Sequence, residues 1–107
     1  MGVKDKHVYI SGPMTGLPDF NRKAFDEAEE RIIAAGASYV CNPSHLGDPS
    51  RTHEYHMTKD LHELTWMDST KTFYDAIVLL PGWESSNGAS LEVLVAIACG
   101  MEVIHLD

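Results

Sequence analysis

Basic residues are scarce in this chain. Eight Lys and Arg stand against sixteen Asp and Glu, a formal net charge of -8. That balance argues against DNA or RNA as a partner, because affinity for a polyanion depends on neutralising its phosphates. It leaves room for one small phosphorylated ligand held by backbone amides. Cysteine is scarce too. Cys41 and Cys99 both sit in apolar stretches, so they read as two buried thiols in a reducing cytoplasm. No apolar run approaches the roughly 20 residues needed to cross a bilayer. The opening MGVKDKH carries no apolar signal segment and leads straight into a β-prone run. No repeat, low-complexity tract or linker interrupts the chain, so residues 1–107 are expected to form one domain.

What is present centres on Asp75 to Glu92, DAIVLLPGWESSNGASLE. Ala76 to Leu80 is an unbroken apolar run too short for a helix, stopped by Pro81 and Gly82. Such a run reads as a parallel strand covered on both faces. Ser86, Asn87, Gly88 and Ala89 then precede an apolar segment to Cys99, expected to be a largely buried helix with Gly100 as its stop. A strand, a small-residue loop and a helix N-terminus in series make a natural anion site.

The rest of the chain repeats the scheme. His7 to Ile10 reads as the first strand, and Ser11 to Pro18 as a Gly- and Pro-rich loop. Asp19 or Asn21 is expected to cap an amphipathic helix whose apolar face holds Phe20, Ala24, Phe25, Ala28, Ile32 and Ala35. Gly36 stops it, and Ser38 to Cys41 is the second strand. Residues 43–53 read as a polar, mobile loop. A helical pattern then runs from Glu54 to about Asp68, with Met57, Leu61, Leu64 and Met67 on one side. If the helix stays continuous Asp68 falls within that stripe, where an acid either caps a short following helix or points into a cleft. Met101 to Leu106 is a last strand. The alternation predicts an α/β fold: a small, doubly wound, Rossmann- or flavodoxin-like parallel sheet of four to five strands with helices on both faces. Ligands in such sheets sit beyond the carboxyl ends of the strands, which singles out the loops Ser11–Pro18 and Pro81–Ala89.

Two signatures carry a resemblance. YISGPMTG, Tyr9 to Gly16, is followed by the Phe-containing helix and CNP, and LPGWESSNGASLE spans Leu80 to Glu92. In that order they resemble the nucleoside 2-deoxyribosyltransferase-like superfamily. They come closest to a small phage-associated branch related to nucleoside 5′-monophosphate N-glycosidases. The resemblance covers nearly the whole chain and is weakest over residues 44–72. It implies cleavage or exchange of the N-glycosidic bond of a 2′-deoxynucleoside or its 5′-monophosphate. Glu92 then matches the nucleophile, a carboxylate that traps an oxocarbenium-like sugar as an ester, and Tyr9 matches the residue that orients it.

Further roles follow from the same resemblance. The residue six before the nucleophile is an Asp where the substrate has a free 5′-hydroxyl and a Ser where it has a 5′-phosphate. Here it is Ser86, which suits a phosphate. The related hydrolases carry a basic residue in the first loop, and Ser11–Pro18 has none, leaving Arg22 or Arg51 as substitutes. A second acid protonates the leaving base. Asp60, in the words DLHEL, ranks first, and Asp68, seven residues before Asp75, ranks second. Substrate contacts are expected from Ser11, Gly12, Pro13, Met14, Gly16, Ser86, Gly88 and Ala89. Trp83 either stacks on a base or packs in the core or at a subunit contact, and Trp66 shares that choice. Members of this superfamily complete their sites with a neighbour's residues, so a homodimer or larger assembly is expected.

No cofactor is implied. His53, His56 and His62 lie among acids, but HEYH is not HExxH and no second Cys/His cluster completes a metal site. Three readings therefore stand: hydrolysis, base transfer, and nucleotide binding without turnover.

Overall fold

A computed structural model describes all 107 residues. Four parallel strands form the main sheet in the spatial order Tyr39–Cys41, His7–Ser11, Ala76–Leu79, Glu102–His105. In chain order the elements are β1 (His7–Ser11), α1 (Arg22–Ala34), β2 (Tyr39–Cys41), α2 (His53–Leu64), β3 (Met67–Asp68), β4 (Lys71–Thr72), β5 (Ala76–Leu79), α3 (Asn87–Ala98) and β6 (Glu102–His105). β3 and β4 form a separate antiparallel hairpin. The fold is thus the expected small Rossmann-like α/β type.

Residues alternate across β1 and β5 as a pleated backbone requires. Val8, Ile10, Ala76 and Val78 pack with Phe25, Ala28 and Ile32 of α1. Tyr9, Ile77 and Leu79 pack on the opposite face with Leu64 of α2 and Val93 and Ala96 of α3. α1 links β1 to β2 on one face, and α3 links β5 to β6 on the other. Crossovers of one hand on opposite faces lead outward from the centre, so the sheet reverses direction between β1 and β5. The site is to be sought there, where Ser11 pairs with Leu79 at the carboxyl ends. Gly36 and Gly100 follow α1 and α3 with φ of +101° and +82°, the left-handed conformation that closes a helix.

Several expectations need correction. α2 stops at Leu64, a turn short of Asp68. Thr65 donates its hydroxyl to Leu61 O, and the Phe73 amide donates to Trp66 O, so the chain turns into the β3–β4 hairpin. Asp68 therefore sits exposed on a hairpin strand. Neither Asp19 nor Asn21 caps α1 by its side chain. Asp19, Phe20 and Asn21 all have φ near +50 to +63°, and the Asn21 amide donates to Pro13 O instead. That left-handed run lifts Phe20 off the face of α1 into solvent. α3 is apolar all round in sequence, yet Leu91, Leu94 and Ile97 are exposed, because the sheet covers only one side of it. Cys41 is buried but Cys99, at the end of α3, is exposed. The loop after β2 is pinned to α2: Lys59 donates to Leu46 O, and the His56 ring lies 2.8 Å from Asp48 O.

Candidate active site

The β1–β5 switch point carries a cavity of about 780 Å³. The first loop supplies Ser11, Gly12, Pro13, Met14 and Thr15, and the second supplies Ser86, Asn87, Gly88 and Ala89 with Glu92 behind them. α2 contributes His53, His56, Met57 and Asp60. The two signatures, 64 residues apart between Gly16 and Leu80, thus meet across one space.

Glu92 is the most unusual group in the molecule. It is a carboxyl only 6% exposed, on the first turns of α3. Both of its oxygens are held. Tyr9 donates its hydroxyl to Oε2 at 2.8 Å, and Ser11 donates to Oε1 at 2.6 Å. Tyr9 and Ser11 are alternate residues of β1, so both face α3. Burial drives the Glu92 pKa up to about 7, the two donors oppose that rise, and the negative Asp60 adds to it. Asp60 is raised to about 6, chiefly by burial, with His56 and Lys59 pulling the other way. The Tyr9 hydroxyl is pushed well above its ordinary value by burial and by Glu92, so it stays a donor. The site therefore holds two acids that burial raises toward neutrality, Glu92 above Asp60.

The second loop is built as a cap. Ser86 precedes α3 in extended conformation and accepts the Ala89 amide at 3.1 Å. The remaining first-turn amides have no partner within their own helix. Gly12 has a packing reason: a Cβ there would lie 2.7 Å from Leu80 Cβ, so only glycine lets the first loop cross the end of β5. At Gly88 a Cβ would meet Met57 Sδ at 3.1 Å, which brings α2 onto the N-terminus of α3.

The expected site residues divide. Tyr9, Ser11, Gly12, Pro13, Met14, Asp60, Ser86, Gly88, Ala89 and Glu92 come together at this cavity or directly behind it. Gly16, Asp68 and Trp83 do not line it. Gly16 serves a turn at φ +84°. Trp83 packs beside the α3-side core, its ring 6.0 Å from His105. Trp66 borders a separate shallow pocket with Tyr39, His62 and Phe73. Of the two candidate cations, Arg22 lines the cavity. Arg51 leans on Asp48 and the Tyr55 ring instead.

Sequence reasoning missed Phe20 and Met57 as cavity residues. Helical spacing puts both on apolar faces, whereas Phe20 reaches the cavity through a left-handed bend and Met57 through the gap left by Gly88. His53 and His56 line the cavity, and His62 borders the shallow pocket. Donor atoms of Asp26, Glu29 and His45 lie within 4.8 Å of one another. The Asn42 amide already donates to both of those carboxylates at 2.9 Å, so a neutral donor stands where a cation would.

Residues 6–105 match the family model described as a domain of unknown function, DUF4406. The chain belongs to that family. No curated protein and no solved structure matches it. The DUF4406 match spans β1 to β6 and so includes both loops and Glu92. No helix of this DUF4406 chain is long and apolar enough to cross a membrane.

Proposed function

We propose that this DUF4406 protein is an N-glycosidase. It hydrolyses the bond between base and sugar in a (2′-deoxy)nucleoside 5′-monophosphate through a covalent Glu92–sugar ester. The observation that carries the reading is the buried Glu92 carboxyl, held on both oxygens by Tyr9 and Ser11 at the wall of a nucleotide-sized cavity. A carboxylate held this way loses little entropy on attack. Asp60 supplies the proton to the departing base nitrogen and takes one back from the incoming water. The first turn of α3, Ser86 and Arg22 receive the 5′-phosphate. Positive charge there is confined to Arg22 and the helix N-terminus, in a chain of net charge -8.

Incubation of the pure protein with a panel of deoxynucleoside and nucleoside monophosphates tests this. Free base from at least one of them, abolished by Glu92→Gln, supports the reading, and release from none contradicts it. Base transfer is the second reading. The cavity lies in the upper part of the range for small-molecule sites, which leaves space for an acceptor base. An exchanged nucleoside formed on adding a free base would favour transfer. Thermal stabilisation by a nucleotide without any cleavage would favour a binding module instead.

The assembly we propose is a homodimer joined through the exposed Leu91, Leu94 and Ile97 stripe of α3, the helix that carries Glu92. A stable monomer at micromolar concentration on a sizing column would contradict it.

A further inference from the structure

We propose that Oε1 of Glu92 is the attacking oxygen, and that Ser11 positions it and lets go of it as the sugar ester forms. The inference rests on the glycosidase reading and goes beyond it by assigning separate tasks to the two donors.

The two Glu92 oxygens differ in surroundings. Oε2 meets Tyr9, which is fully buried and takes no part in the cavity wall. Oε1 meets Ser11, which belongs to that wall together with Glu92 itself. A sugar entering the cavity therefore approaches the Ser11 side. As Oε1 bonds to C1′, the C1′–N bond breaks and its electron pair stays on the base nitrogen, which is protonated by Asp60. Oε1 becomes the alkyl oxygen of an ester, a poor acceptor, and Ser11 loses its partner. Oε2 becomes the ester carbonyl and keeps the Tyr9 hydrogen bond. In the second step water adds to C1′ and gives its proton to the Asp60 carboxylate. The C1′–Oε1 bond breaks, its electron pair returns to Oε1, and Ser11 donates to that oxygen again as charge develops on it. Ser11 thus helps the ester to break more than it helps it to form, whereas Tyr9 serves both steps.

Three sets of measurements test this. The first is a ¹³C NMR titration of the protein labelled at glutamate side-chain carboxyls, with the Glu92 signal assigned by its loss in Glu92→Gln. Other groups near Glu92 are Tyr9 from β1, Asp60 from α2 and Cys41 from β2. None of them changes in Ser11→Ala, so the Glu92 midpoint is expected to move up by about one unit in that variant. Ser11→Cys, with a weaker donor of similar size, is expected to fall between. The second is rapid quench with nucleotide, in which Ser11→Ala is expected to accumulate sugar–protein ester while Tyr9→Phe does not. An unmoved Glu92 titration, or no more ester in Ser11→Ala than in the wild type, overturns the assignment in an enzyme that still releases base. The third is base release by the wild type itself. None from any nucleotide would fell the glycosidase reading and this proposal with it, even if the substrate-free titration moved.

Discussion

The two faces of one strand, β1, carry opposite kinds of residue. Val8 and Ile10 point toward α1 and pack with Phe25, Ala28 and Ile32. Tyr9 and Ser11 point toward α3 and hold a buried acid. The first face behaves as a protein interior usually does, removing apolar surface from water. The second buries a carboxyl that would be more stable in water, which costs folding energy unless its hydrogen bonds offset the burial. The upward shift of Glu92 shows that the offset is incomplete. The α1 face thus stabilises the sheet, and the α3 face spends part of that stability on a reactive group.

Substitutions on the two faces should therefore separate stability from activity. The largest effect on activity is expected from Glu92→Gln, a loss of base release of at least about a thousandfold. The same change should leave folding intact or improve it, because a neutral amide avoids the burial penalty. Ile10→Ala, one residue from either donor, should do the reverse. It should lower unfolding free energy by about 2–5 kcal/mol with little change in the chemical step of the folded fraction. Parallel denaturant melts and base-release assays on both variants check the contrast. If Ile10→Ala cut the chemical step as deeply as Glu92→Gln, the division of labour would be wrong.

Asp60→Asn comes next, with base release expected to fall by roughly a hundredfold to ten-thousandfold, the worth of a general acid. In the same assay Asp68→Asn should match wild type, since Asp68 sits on the exposed hairpin. Gly12→Ala is a packing test. Its methyl would run into Leu80, so a cost of about 1–3 kcal/mol is expected, with the first loop displaced from the cavity.

The pH dependence should be the subtlest effect. Folded Glu92 titrates near 7 against an ordinary value of 4.5, so the folded state binds more protons than the unfolded state between those limits. Stability is then greatest at the acid end of that window and falls as pH rises through it, by of order 1–3 kcal/mol. Glu92→Gln should flatten that slope in thermal melts recorded across the window. The rate should peak between about pH 6 and 7, where the required pair, an ionised Glu92 with a protonated Asp60, is most populated although it is the minor form, because Glu92 holds its proton to higher pH than Asp60.

Much of this arrangement was legible in the sequence. The four strands of the main sheet, the three helices and the switch-point loops follow from apolar runs, Gly stops and the Ser86 cap. The meeting of Tyr9 with Glu92 was expected only through the resemblance, and the geometry brings the two together. Periodicity failed where a local hydrogen bond or a left-handed backbone overrode it. Leu61, Leu64 and Met67 keep a helical spacing, yet the Thr65 hydroxyl and the Trp66–Phe73 pairing end α2 early. Phe20 keeps the spacing of α1, yet the bend at Asp19–Asn21 carries it to the mouth of the cavity. The exposed side of α3 could not be told from its buried side, because both sides are equally apolar.

The central claim is that the Glu92 side chain becomes covalently joined to a sugar. Acid quench of the protein during turnover of a deoxynucleoside monophosphate, followed by peptide mass mapping, addresses it directly. The account predicts a sugar-phosphate adduct on the peptide containing Glu92 in the wild type and none in Glu92→Gln. Base release with no adduct at Glu92, or with an adduct on another residue, would contradict it.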